Sequence, residues 1–104
     1  MEYVNLTPHD INIDGRVIKQ SGMVVRLVDN EVTTHMHDGI MHVILESDTN
    51  NIILPQKKDG TILLVSRAVA SVVRREDVYF PFDLVRDRNG NIFECKKLAR
   101  CELL

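Results

Sequence analysis

The segment Thr7-Pro8-His9, close to the N-terminus, places a hydroxyl, a rigid ring and an imidazole side by side. Proline fixes its own backbone φ angle, so such a loop loses less conformational entropy when a ligand binds. A corner of this kind could aim the Thr7 hydroxyl and the His9 imidazole at a ligand. The alternative is an ordinary turn, in which Thr7 bonds to nearby backbone and His9 stays at the rim.

A second candidate is the pair Ser66-Arg67, which follows an apolar run at residues 61–65. Ser66 is a natural N-cap, and the N–H groups at the start of a helix attract anions. Arg67 would add a guanidinium group, which binds phosphate or carboxylate through two parallel hydrogen bonds. The alternative is a normal helix cap beside a solvated arginine.

Arg26 and Arg86 each interrupt an otherwise apolar segment. Arginine is rarely buried without a partner. Each side chain therefore either lies on the wet face of its strand or points into a cavity and meets an anion. Asp29, Asp83 and Asp87 offer a further alternative, because they could form structural ion pairs with these two arginines.

The segment His35-Met36-His37-Asp38, together with His42, suggests a metal site. Histidines at positions i and i+2 of a strand share one face, and Asp38 and His42 could complete a set of four zinc ligands. The spacing follows no strict zinc signature, which favours a polar, mobile loop. We therefore expect no metal at His35, His37 and His42, and no other cofactor.

Turn signals divide the chain into short segments, and both Asp14-Gly15 and Asn89-Gly90 are typical of hairpin turns. Strands are expected at residues 23–28, 42–47 and 61–65, a loop at residues 29–41 and a helix near residues 66–75. The total is about seven short strands and one helix in a single domain, residues 1–104. We predict a mainly β (α+β) fold, a small antiparallel β-barrel or rolled sheet with the helix covering one opening.

Composition and charge exclude several classes of protein. The formal net charge is -2, so the basic field that is typical of nucleic-acid binding is missing. No apolar run is long enough to span a membrane, and the N-terminus has no signal-peptide pattern. We therefore expect a cytoplasmic protein whose thiols, Cys95 and Cys101, stay free, with Cys95 buried in a strand. Neither a phosphate-binding glycine loop nor a nucleophile elbow is present.

The order of several short motifs resembles a family of small proteins found in tailed phages and in bacteria, especially actinobacteria. In chain order the motifs are Leu6-Thr7-Pro8-His9, Ser21-Gly22, Val25-Arg26-Leu27, Leu54-Pro55, Gly60-Thr61, Val65-Ser66, Arg75-Glu76-Asp77-Val78, Pro81, Val85-Arg86-Asp87, Gly90 and Cys95. The resemblance implies a phage or prophage setting, hence the cytoplasm of a host cell, and one compact fold. It implies no particular activity, and the His-rich residues 29–51 depart from the family pattern.

Three classes of function remain. The favoured one is a non-enzymatic protein that sequesters a phosphorylated small molecule, such as a nucleotide-type signal of bacterial immunity, through Thr7, His9, Arg26, Ser66, Arg67 and Arg86. Since the chain is small, a second copy would complete the pocket, so we expect a homo-oligomer. The alternatives are a virion accessory or host-protein-binding module and a small metal-dependent hydrolase. The hydrolase comes last because no catalytic constellation is evident.

Overall fold

The computed structural model describes residues 1–103 as eight strands, one α-helix and a short 3-10 helix. The strands are β1 (Glu2–Asn5), β2 (Ile11–Ile13), β3 (Arg16–Ile18), β4 (Val28–His37), β5 (Ile40–Asp48), β6 (Thr61–Leu64), β7 (Val78–Arg86) and β8 (Ile92–Ala99). The α-helix is α1 (Arg67–Val72), and the 3-10 helix is Thr49–Asn51. Across these residues, no helix has the length and apolar character needed to cross a membrane.

Six strands form one sheet in the order β1-β6-β7-β8-β2-β3, which curls into a nearly closed barrel. The two ends of the sheet meet where the backbone N–H of Ser21 donates to the Asn5 carbonyl at 3.0 Å, beside a bridge between Asn5 and Gln20. The predicted class, a mainly β fold with one helix and a barrel-like sheet, is therefore confirmed.

The pairing within this sheet is mixed, which corrects the expectation of an antiparallel barrel. The pairs β1–β6, β6–β7 and β2–β8 are parallel, whereas β7–β8 and β2–β3 are antiparallel. Both antiparallel pairs are the hairpins that Asp14-Gly15 and Asn89-Gly90 predict. The parallel pairs join strands that are distant in the sequence, where no local turn motif indicates the pairing.

The helix is shorter than the predicted 66–75. Ser66 is its N-cap as predicted, since its Oγ accepts a hydrogen bond from the Val69 backbone at 3.3 Å. The chain leaves the helical conformation at Val73, where φ is -112° and ψ is 99°. Two successive β-branched residues at this end, Val72 and Val73, disfavour a further helical turn. Val69 and Ala70 anchor the helix in the core, which also includes Leu6, Val25, Leu63, Val65, Val78 and Phe80.

Residues 23–48 differ most from the prediction. The segment 23–27, expected to be a strand, lies outside the sheets, although Val25 is buried and its N–H donates to the Leu6 carbonyl at 3.0 Å. The expected loop at 29–41 is instead most of a long hairpin formed by β4 and β5. Asp38 and Gly39 turn this hairpin with φ angles of 54° and 76°. Asp-Gly is a known hairpin motif, so the sequence did contain a signal for it.

Arg75 pairs with Asp77 and also links the chain after the helix to Pro55, in the segment before β6. Two guanidinium nitrogens of Arg75 donate to the buried Asp77 carboxylate at 3.0 and 2.8 Å, and the Pro55 carbonyl accepts at 3.3 Å. We expect Arg75→Met to lower the free energy of unfolding by about 2 kcal/mol, because it leaves the buried Asp77 carboxylate without its partner. The loss is smaller than for a fully buried ion pair, since Arg75 is partly exposed to solvent. Urea denaturation measures this change. Arg74→Met, at the neighbouring exposed position, should have little effect, and equal effects would contradict the prediction.

Candidate functional site

One open cleft of about 880 Å³ lies between the N-terminal corner, the start of the helix and the hairpin of β7 and β8. All six residues predicted to bind a ligand line this cleft: Thr7, His9, Arg26, Ser66, Arg67 and Arg86. They come from four separate parts of the chain, and the barrel brings them together. The Thr7-Pro8-His9 corner therefore lies beside Ser66 and the arginines, and it forms one wall of the cleft.

Within the corner, the Thr7 hydroxyl has a structural role. Thr7 is buried, and its Oγ1 lies 2.6 Å from the Asn5 Oδ1 and 2.9 Å from the His9 carbonyl oxygen. Its backbone N–H also donates to the Asn5 side chain at 2.9 Å. A hydroxyl has one proton to donate, so these acceptors already use it. The turn interpretation therefore holds for Thr7, while His9 is exposed at the cleft.

Asn5 organises this corner, and the sequence analysis did not identify it. Its side chain is 1% exposed, and its Nδ2 donates to the carbonyls of His9 at 2.7 Å and Ile18 at 3.1 Å. One amide thus joins the end of β1, the Thr7-Pro8-His9 corner and the end of β3. An Asn two residues before a threonine, at the end of a strand, is a known Asx-turn pattern and was the available signal.

Arg67 is positioned by aromatic rings. Its guanidinium carbon lies 5.6 Å from the ring centre of Phe80 and 5.9 Å from that of Phe82. Such contacts favour a cation above the ring face. The predicted contribution of the helix is weaker than expected, because α1 has six residues and Ser66 already caps it. A macrodipole needs aligned peptide units over several turns, so Arg67 is a stronger candidate than the helix end for contact with an anion.

The other two arginines that line the cleft come from separate segments of the chain. Arg86, at the end of β7, donates from Nη1 to the Gly90 carbonyl at 2.9 Å, which fixes its direction across the hairpin turn. Arg26 lies in the segment before β4, is exposed, and has no hydrogen bond or ion pair within residues 1–103. Both guanidinium groups therefore keep donors that an anion in the cleft could use.

The acidic residues near these arginines have other partners. Asp29 accepts from the Ser47 hydroxyl at 2.8 Å, and Asp83 lies 3.9 Å from the Lys97 ammonium group. Asp87 accepts from two backbone N–H groups of its own turn, at 2.9 and 3.0 Å. The structural ion pairs considered for Arg26 and Arg86 are therefore not formed in the part of the chain that the structure describes.

Two carboxylates, Asp10 and Glu94, also line the cleft. Asp10 accepts from the backbone N–H of Gln20 at 3.0 Å and lies 3.4 Å from the Lys19 ammonium group. The hydrogen bond from Gln20, helped by Lys19, holds the pKa of the Asp10 carboxyl below its usual value. Asp10 thus stays charged, and Lys19, just after β3, partly neutralises its charge.

Cys95 lines the cleft but is poorly suited to react. Its side chain is 2% exposed, and burial raises the pKa of its thiol above the ordinary value. Since the thiolate is the nucleophile, Cys95 should react with a disulfide reagent at neutral pH at least about 100-fold more slowly than an unfolded thiol. Thiol titration of the Cys101→Ser variant, before and after unfolding in guanidinium, measures this rate. A fast reaction in the native Cys101→Ser variant would show that Cys95 is accessible.

The three histidines lie on the hairpin of β4 and β5, outside the residues that line the cleft. The rings of His35 and His42 stack with centres 5.4 Å apart, and His37 meets the His42 ring edge to face at 5.6 Å. His42 also has its Nδ1 at 2.9 Å from the Ile40 carbonyl. Residues 1–103 contain no group of three or more His, Cys, Asp or Glu side chains placed to hold a metal ion.

Comparison of the chain with protein-family models, with curated proteins and with solved structures returned no match. The resemblance to small phage and bacterial proteins therefore stays a prediction from the sequence motifs.

Proposed function

We propose that this protein binds a phosphorylated small molecule of nucleotide size in the cleft and holds it without chemical change. The observation that carries the proposal is the convergence of Arg26, Arg67 and Arg86 on one cleft, without a carboxylate partner among the described residues. Guanidinium groups bind phosphate oxygens through charge-assisted, often bidentate hydrogen bonds. Three of them in one cleft suit a ligand with more than one phosphate oxygen to offer.

The rest of the cleft suits the base and sugar of a nucleotide. Its volume of about 880 Å³ lies within the usual range for small-molecule sites. Leu84, Ile92 and Phe93 line it with exposed apolar side chains, each between 43% and 51% exposed. A planar base that covers these side chains would remove apolar surface from water and add a stacking contact with Phe93. His9 and the backbone of the corner offer polar contacts at the rim.

The candidate nucleophiles in the cleft support binding rather than turnover. The Thr7 hydroxyl is used within the corner, the Ser66 hydroxyl caps the helix, and burial raises the pKa of the Cys95 thiol. Nucleophilic catalysis needs a nucleophile that an adjacent base activates. Neither hydroxyl bonds to a side-chain base, because Thr7 Oγ1 contacts an amide oxygen and a backbone carbonyl, and Ser66 Oγ accepts from the Val69 N–H. The proposal therefore assigns these side chains to shape and support the cleft.

The resemblance to small phage proteins suggests what such binding would achieve. A phage protein that captures a nucleotide signal without destroying it would lower the free concentration of the signal in the host cell. Sequestration needs affinity and abundance and does not need catalysis, which agrees with the composition of the cleft. We therefore propose an anti-defence role, with a nucleotide-type immune signal as the ligand.

A thermal-shift screen with mass spectrometry tests this proposal. The panel contains cyclic dinucleotides, ADP-ribose-type nucleotides and, as a control for simple anion binding, inorganic phosphate at matched ionic strength. A specific nucleotide at about 100 times its Kd should raise the Tm by about 10 °C or more. The ligand should be recovered unchanged in mass after the protein is denatured. The proposal fails if no nucleotide raises the Tm more than phosphate does, or if the ligand is converted.

A further inference from the structure

The hairpin of β4 and β5 projects from the barrel, and we call residues 28–48 the arm. The two strands form a separate two-stranded sheet, and every residue of both strands except Asp48 is exposed. The Cα radius of gyration is 16.3 Å, whereas a compact domain of about 100 residues has about 13 Å. The longest dimension of 51 Å agrees with an extended projection rather than with a strand packed on the barrel.

Many apolar side chains of the arm are exposed to solvent. Eight of its apolar side chains are each between 43% and 62% exposed: Val28, Val32, Met36, Ile40, Met41, Val43, Ile44 and Leu45. The register places Met36, Met41, Val43 and Leu45 on one face of the arm and Ile40 and Ile44 on the other. An exposed apolar face of this kind is uncommon on soluble monomers. A two-stranded hairpin without further packing is also only marginally stable in water, whereas three or more strands are stable. Both facts indicate that an additional strand pairs with the arm.

The two edges of the arm differ in their suitability for pairing. β4 has a bulge between Glu31 and Thr33, and an irregular edge of this type resists the addition of another strand. β5 pairs with β4 over nine residues and shows no bulge of its own. The centre of β5 is Val43-Ile44-Leu45, three consecutive apolar residues, of which the first two are β-branched. A long, regular, apolar edge is the kind that pairs with another chain.

The side-chain pattern along β5 fits a second copy of the same strand in the antiparallel direction. β5 carries His42 on the tip side of Ile44 and Glu46 on the root side, each two residues away. Residues two apart on a strand lie on one face, so all three side chains share a face. If two copies of β5 pair about a two-fold axis at Ile44, His42 of each copy lies opposite Glu46 of the other. In the same register Val43 lies opposite Leu45, which matches apolar side chains on the other face.

We infer that the arm is a self-association element, in which the β5 edges of two copies join antiparallel about a two-fold axis at Ile44. The product is a continuous four-stranded sheet with two His42–Glu46 pairs and an Ile44–Ile44 contact at its centre. This isologous arrangement closes on itself and leaves the bulged β4 edges outside. The apolar face of the joined sheet contains Met36, Met41 and Leu45 from each copy, and stacking of two such dimers would cover it.

The inference does not rest on the proposed function, because the side chains of β4 and β5 lie outside those that line the cleft. Light scattering over a concentration series measures the mass of the native chain and of two variants. Ile44→Lys places two ammonium groups side by side at the axis, and because like charges that face each other across an interface repel, it should raise the dissociation constant by about 100-fold or more. Val32→Lys is the matched control, since Val32 is equally exposed on the arm but lies at the β4 bulge.

We expect a dimer or tetramer for the native chain and for Val32→Lys, and a monomer for Ile44→Lys with an unchanged circular dichroism spectrum. A monomeric or trimeric native chain overturns the inference, as does equal weakening by both lysine variants. An exchange of the two polar residues His42 and Glu46 tests the register. His42→Glu should weaken association, because each new carboxylate faces Glu46 of the other copy, and the double variant His42→Glu/Glu46→His should restore it. Failure of the double variant to restore association overturns the Ile44 axis.

Discussion

Replacing Asn5 by alanine should lower the free energy of unfolding by about 3 kcal/mol, the largest effect that we expect from one polar substitution. The change removes the donor for the carbonyls of His9 and Ile18 and the acceptor for the Thr7 backbone N–H. These groups lie in a region where the Asn5 side chain is 1% exposed, so water cannot readily replace the amide. Chemical denaturation of the variant and the native chain measures the loss.

The matched control for this change is Asn12→Ala. Asn12 also donates from Nδ2 to a backbone carbonyl, that of Phe93 at 3.0 Å, but its hydrogen bond is exposed. Water can replace an exposed partner, so the loss should be below about 0.5 kcal/mol. If Asn5→Ala and Asn12→Ala have the same effect, Asn5 does not organise the corner. If Asn5→Ala also weakens ligand binding at temperatures where it is folded, the corner takes part in the site.

Removing two arginines from the cleft should abolish most of the binding that we propose. Arg26→Met and Arg67→Met each delete a guanidinium group but keep a long apolar side chain. A hydrogen bond to a charged group contributes about 1.5–3 kcal/mol, so each change should weaken nucleotide binding by about 10-fold or more. The double variant should lose about 100-fold or more, provided that the two effects add. Isothermal titration with the best ligand of the thermal-shift screen measures the affinities.

Two arginines outside the lining of the cleft provide matched controls. Arg100 lies over the Tyr79 ring at 5.9 Å, as Arg67 lies over Phe82, and Arg88 is exposed in the turn after β7. The double variant Arg88→Met/Arg100→Met changes the net charge by the same amount as Arg26→Met/Arg67→Met. It should bind within about 3-fold of the native affinity, because surface charges that do not touch the ligand are largely screened. Equal losses in both double variants would point to a general charge effect rather than to a site.

Local sequence patterns predicted the features whose causes lie within a few residues. Asp14-Gly15 and Asn89-Gly90 form the hairpins that their backbone preferences favour, and Ser66 caps the helix. The β-branched Val72 and Val73 are also a local signal, since they disfavour the helical conformation where the helix ends. The Asp38-Gly39 turn is equally local, and its hairpin was missed because the polar residues around it favoured a loop.

The sequence by itself therefore determined a mainly β fold with one capped helix, and it singled out the side chains able to bind an anion. Only the tertiary structure decided that β1, β6 and β7 run parallel, that Thr7 faces inward, and that Arg26, Arg67 and Arg86 share one cleft. The physical reason is the range of the interactions. Turn and cap preferences arise between neighbouring residues, whereas strand pairing and the partner of each charge depend on segments that are far apart in the chain.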